Sequence, residues 1–170
     1  VTRAPLLLAL AVALAACGRG EQAPATGATT TNEATTDATS GAVQRVTTPV
    51  TIESGGRRHV FRAEVASTTA QQAQGLMFRT DLQPDDAMLF APYPPEGGAP
   101  RVADFWMKNT PLSLDIVFIR ADHSIAAIAQ NTTPLSEAKV SSGEPVAAVL
   151  ELVGGRAAAL GIGVGDRVTW

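Results

Sequence analysis

Polar side chains are set among large apolar ones at a few places in this chain. Arg79 follows Leu76-Met77-Phe78, Lys108 and Asn109 follow Phe105-Trp106-Met107, Asp115 lies between Leu114 and Ile116, and Glu151 lies between Leu150 and Leu152. A charge between strand aliphatics either faces solvent by alternation or is buried beside a partner, because burying it alone is expensive. Alternation accounts for Asp115 and Glu151 as solvent-facing charges, and structural ion pairing is the reading the pattern favours. The rival reading is a cleft in which Arg79 and Lys108, with Asn109 and beside Trp106, accept an anion while Asp115 or Glu151 acts as acid or base. Arg79, Trp106, Lys108, Asn109, Asp115 and Glu151 are therefore the candidate ligand-binding residues.

Other chemistry has less support. No serine sits in a nucleophile-elbow pattern with a histidine base, so no catalytic residue is assigned. His59 falls on the inward side of an alternating run and reads as a hydrogen-bonded core imidazole, and His123 falls in a turn. Cys/His clusters and phosphate-binding glycine motifs are absent from the sequence, and no metal or cofactor is expected. Met77, Met88 and Met107 could bind copper(I) as soft thioethers, but each abuts large apolar residues and reads first as adaptable core filling. A net charge of -3 without a run of Lys or Arg argues against a nucleic-acid partner.

Cys17, the single cysteine, follows Leu14-Ala15-Ala16 and an apolar run that begins near Leu6, with Arg3 before it. The run is too short to span a bilayer and has the layout of a signal peptide. With Gly18 the string resembles a bacterial lipobox, which implies that residues 1–17 form a lipoprotein signal peptide and that Cys17 is acylated. The expected partner is then a membrane held through lipid at Cys17, and the expected location is the cell envelope, the outer membrane if the cell has one. Residues 18–42 are rich in Thr and Ala and bury too little apolar area to offset their ordering entropy, so they read as a tether.

The elements that must position the polar residues begin near residue 43. Runs at 46–53 and 57–66 flank Ser54-Gly55-Gly56, which predicts a hairpin, and runs at 112–120 and 124–131 flank the Asp122 turn, which predicts another. Strand-like runs also lie at 88–90, 102–107, 146–153 and 167–170. Thr69 with Gln72 predicts a capping box opening a short helix, and 156–160 predicts a second helix stopped by Gly161. The expected fold is all-β, a β-sandwich, jelly roll or barrel-like sheet with one or two short helices, in a single domain at 43–170.

Within this region Gln74-Gly75-Leu76-Met77-Phe78-Arg79, Ala87-Met88-Leu89-Phe90, Phe105-Trp106-Met107-Lys108-Asn109-Thr110, Leu114-Asp115-Ile116-Val117-Phe118 and Leu150-Glu151-Leu152 resemble the bacterial and archaeal family called domain of unknown function 192. The resemblance implies a compact β-rich fold and supplies no activity. Relatives often carry Pro-Cys where this chain has Pro134-Leu135, so thiol chemistry is not available at that position. The loop at 92–100 reads as longer than usual, which bears on access to any site beside Trp106.

The resulting expectation is a lipid-anchored envelope protein that binds a ligand or protein partner of the envelope. The rivals are a hydrolase acting on envelope or carbohydrate material through Asp115 and Glu151, and a structural docking protein.

Overall fold

The structure, a computed structural model, describes residues 45–170; the signal peptide, Cys17 and the whole of the tether lie outside the described residues. Strands β1 (Thr47–Ser54) and β2 (Arg57–Ala66) pair antiparallel along their length. Gly55 and Gly56 close their turn at φ of 54° and 76°, a left-handed pair that glycine adopts without a Cβ penalty. After β2 the chain crosses through helix α1 (Thr69–Gln74) to β3 (Asp86–Phe90), which lies parallel to β2.

Further along come β4 (Arg101–Phe105), β5 (Leu114–Ile119), β6 (Ile125–Ala129), β7 (Val140–Val146), β8 (Ala148–Val153), α2 (Arg156–Leu160) and β9 (Arg167–Thr169). Seven strands form one sheet in the order β6-β5-β8-β3-β2-β1-β9, and β4 and β7 form a separate pair. A bridge from Ser124 to Arg167 brings β9 back to the start of β6, so the larger sheet is a nearly closed, barrel-like structure. Among the described residues no helix is long and apolar enough to cross a membrane.

The all-β expectation holds, with the barrel-like form among its options. Residues of β1, β2, β3, β5 and β8 fill the sheet interior, where Val50, Ile52, Phe61, Leu89, Val117, Leu150 and Leu152 pack with Ala157 and Ile162. A second core lies on the other face of β3, β8 and β5, where Met88, Phe90, Ile116, Phe118 and Val149 meet Ala103, Met107 and Val146. Each large side chain removed from water in these layers contributes roughly 1.5–3 kcal/mol. Strands β5 and β8 are thus covered on both faces, which explains their nearly unbroken apolar sequences.

One local expectation is corrected, and one strand is found that the sequence did not suggest. The capping box opening α1 uses Thr68 and Gln71, one residue earlier than Thr69 and Gln72: the Gln71 amide donates to Thr68 Oγ1 at 3.3 Å, and Thr68 N donates to Gln71 Oε1 at 3.1 Å. Strand β7 does not announce itself in the sequence because Gly143 and Pro145 interrupt it. Proline is tolerated there because a two-stranded sheet consists only of edges.

Candidate functional site

Side chains on β8 alternate between the two cores. Leu150 and Leu152 enter the barrel interior, while Val149 and Glu151 face the second layer, with Glu151 flanked by Met88 of β3 and Ile116 of β5. Glu151 is 4% exposed, which overturns its reading as a solvent-facing charge; both faces of its strand are covered. Among the described residues its Oε2 is buried without a hydrogen-bond partner, and no cation forms an ion pair with it. Burial alone pushes this carboxyl up to about 8, so it holds its proton at neutral pH.

Glu151 lines an open cleft of about 370 Å³ whose walls include Gln72, Gly75, Tyr93, Phe105, Trp106 and Lys108. Because Gln71 closes the helix cap, Gln72 is left to donate through Nε2 to the carbonyls of Ala66 at 2.9 Å and Pro92 at 2.8 Å. Those two bonds fix which end of the amide is nitrogen. Its Oε1 is buried without a donor, like Glu151 Oε2. Gly75 ends α1 at φ 49° and ψ -135°, and a Cβ there would meet Phe90 Cζ at 3.3 Å, so glycine lets this wall approach the aromatic floor.

Trp106 and Lys108 stand on a braced turn. Met107 N donates to Ser136 O at 2.9 Å and Thr110 N to Met107 O at 3.0 Å, while Phe78 N and Leu135 N donate to Asn109 O and Thr110 O at 2.8 and 3.0 Å. Asn109 supplies a left-handed residue at φ 55°, a conformation its short amide side chain tolerates. Lys108 Nζ lies 5.1 Å from the Trp106 ring centroid and 3.7 Å from Glu137. Elsewhere on the rim Arg101 sits over Tyr93 and pairs with Glu96 at 3.8 Å, and Asp104 pairs with Lys139 at 3.3 Å. Hydrogen bonds from Ser141 and Lys139 hold the Asp104 carboxyl below its ordinary range.

The structure therefore brings Trp106, Lys108 and Glu151 together and places the other candidates elsewhere. Asp115 is fully buried, so alternation toward solvent fails for it as well. It pairs across the sheet with Leu152 and accepts backbone N–H bonds from Asn131, Gly155 and Ala157 at 2.8, 2.9 and 2.8 Å. It therefore ties two loops and the start of α2 to the barrel, on the opposite face from Glu151. Asn109 serves the turn backbone. Its Nδ2 lies 3.9 Å from Met77 Sδ.

Arg79 lies in a separate hollow lined by Glu64, Met77 and Met88. It donates to Glu64 Oε1 at 2.9 Å and Asp81 Oδ1 at 2.7 Å, and Arg45 spans the same two carboxylates. Burial works against the Arg79 charge, and the bonds to Asp81 and Glu64 more than restore it. Arg79, and after it Arg45, hold the Asp81 carboxyl down to about 2. Thermal melts should show Arg79→Ala losing about 1–2 kcal/mol and Lys108→Ala almost nothing, since the Arg79 side chain is 16% exposed and doubly bonded while Lys108 is 41% exposed. Equal melts for the two variants would deny the Arg79 network its structural weight.

Sequence reasoning missed Gln72, Tyr93, Arg101 and Asp104 as cleft residues. Their signal was slight, since none of these four belongs to a family-like string. Met88 and Met107 are buried as core filling, and Thr132 Oγ1 lies 3.1 Å from Met107 Sδ. Among the described residues no group of three or more His, Cys, Asp or Glu is placed to hold a metal.

Fold and cleft together define a small β-rich domain with one acid at the floor of a half-open aromatic cleft. The chain belongs to the domain of unknown function 192 family (DUF192), described as an uncharacterized ACR, whose model matches residues 50–170. A protein of unknown function from Novosphingobium aromaticivorans, solved by crystallography, is 43% identical, with a TM-score of 0.70 over 85% of this chain and 100% of that one. A candidate transcription regulator from Sinorhizobium meliloti is 42% identical, with a TM-score of 0.68 over 76% of this chain and 97% of that one. A comparison with curated proteins finds no match.

Proposed function

We propose that this protein is a ligand-binding module of the cell envelope, tethered through lipid at Cys17, whose cleft beside Trp106, Lys108 and Glu151 receives a small molecule. One observation carries the binding reading: a buried carboxyl borders an open cleft, and the described residues supply one of its oxygens with no partner. Leaving such a group unsatisfied costs stability, and a binding site accounts for keeping it. The hydrolase reading loses its geometry, because Asp115 and Glu151 occupy opposite faces of one sheet and do not flank a common substrate.

Support for the anchor is the sequence Leu14-Ala15-Ala16-Cys17-Gly18. A single experiment examines both halves of the proposal. Cys17→Ala should move the protein from the membrane to the soluble fraction, and small-molecule fragments screened by NMR against that soluble chain should shift the Trp106 indole N–H resonance. A variant that stays with the membranes refutes the anchor, and fragment hits that spare Trp106 refute the cleft.

A further inference from the structure

We propose that the cleft takes a primary ammonium group carried on an apolar stem, with Glu151 as its counter-ion and Gln72 Oε1 as a second acceptor. This rests on the cleft being a ligand site and names the chemistry of the ligand. Two residues lining it, Gln72 and Glu151, each leave one buried oxygen without a donor among the described residues. Gln72 cannot turn its amide to serve otherwise, since Nε2 already donates to two carbonyls. Two orphaned acceptors call for a ligand group that donates and does not accept, and an ammonium brings three donors and no acceptor.

Charge balance points the same way. Arg101 has Glu96, Asp104 has Lys139 and Lys108 has Glu137, so every rim charge already faces an opposite one. An anionic ligand would have to break one of these pairs, whereas a cation completes Glu151. Tyr93, Phe105 and Trp106 offer ring surface to an apolar stem, and aromatic faces favour a nearby cation.

Proton linkage gives the proposal its signature. Glu151 must ionise to meet the ammonium, so binding releases a proton wherever the free protein still holds it. The other groups around it do not mimic that release. Helix α1 contributes only the uncharged Thr69, Gln72, Ala73 and Gln74, and β3 and β5 place Met88 and Ile116 beside Glu151. Tyr93, Glu96, Arg101, Asp104 and Lys108 complete the titratable set, and the charged members have their own partners.

The test titrates 3-phenylpropylammonium, 3-phenylpropanol and 3-phenylpropionate into the full chain, followed by the Trp106 indole resonance and by calorimetry in two buffers of different ionisation enthalpy. The ammonium is expected to bind at least tenfold more tightly than the alcohol or the carboxylate. Its affinity should rise about tenfold from pH 6 to pH 7 and level off above pH 8, with about one proton released per ligand at pH 6.5. Glu151→Gln should abolish both the preference and the proton release. Alcohol or carboxylate binding as tightly as the ammonium overturns the cation while leaving a cleft that binds something else. No shift of Trp106 by any of the three overturns the cleft reading together with it.

Discussion

Stability of the domain is expected to fall as pH rises from about 4.5 to about 8, the reverse of the usual carboxylate effect. In the unfolded chain Glu151 loses its proton near 4.5, and in the folded protein it keeps the proton until about 8. Between those values the unfolded state binds fewer protons than the native state, so each step upward in pH favours unfolding. The contribution is complete below 4.5 and lost through 8. Over that interval it amounts to about 5 kcal/mol at 1.36 kcal/mol per pH unit. Asp81, held near 2, acts with the opposite sign but only below its ordinary value, outside this window. Glu151→Gln removes the charge while retaining the shape, and its stability should be nearly flat from pH 5 to pH 8.5 and several kcal/mol above the wild type at the upper end. Urea unfolding at the two pH values checks this, and parallel behaviour of the two proteins would mean that Glu151 is not held neutral by burial.

Asp115→Ala should be the most damaging single substitution in the domain. It strips the acceptor from three backbone N–H groups, those of Asn131, Gly155 and Ala157, and leaves a hole between two loops and a helix start. Each donor left unpaired away from water costs about 1–3 kcal/mol, and with three such donors, two of them part-buried, a loss of at least about 3 kcal/mol follows. That approaches the whole stability of a small domain. Asp115→Asn keeps one acceptor oxygen and should lose less. Denaturation midpoints rank the series, and an Asp115→Ala loss below about 1 kcal/mol would show that water or a neighbouring group replaces the carboxylate.

The contrast between these two acids shows where the sequence stops being readable. Both sit between aliphatic residues on strands that neighbour one another in the sheet, and local pattern treats them alike. Their difference arises from the second layer: β4, β7 and the Trp106 turn cover one face of β5 and β8, and α2 and the barrel interior cover the other. Alternation predicts a solvent side that does not exist here. The hairpins at Gly55-Gly56 and Asp122 were legible because their turn chemistry is local. Strand β7 was hidden by Gly143 and Pro145, and with it went the means to see that Asp104 and Arg101 would reach the same cleft as Glu151. Arg79 and Lys108 sit in the two most distinctive strings, yet they serve separate places because α1 and Gly75 come between them.

Strand β9 has a bearing on how this domain reaches its native state. It pairs with β1 through Thr51 and Thr169, and it is held on its other side by Val168 N donating to His123 O and by the Ser124 bridge. Its partners come from distant parts of the sequence, so its docking is a high-contact-order event that belongs late in folding. Until it docks, β1 and the leading end of β6 each present unpaired backbone groups, and two open edges on one sheet form a template for another chain. The three residues of β9 thus act as a guard against self-association as well as a closing stave.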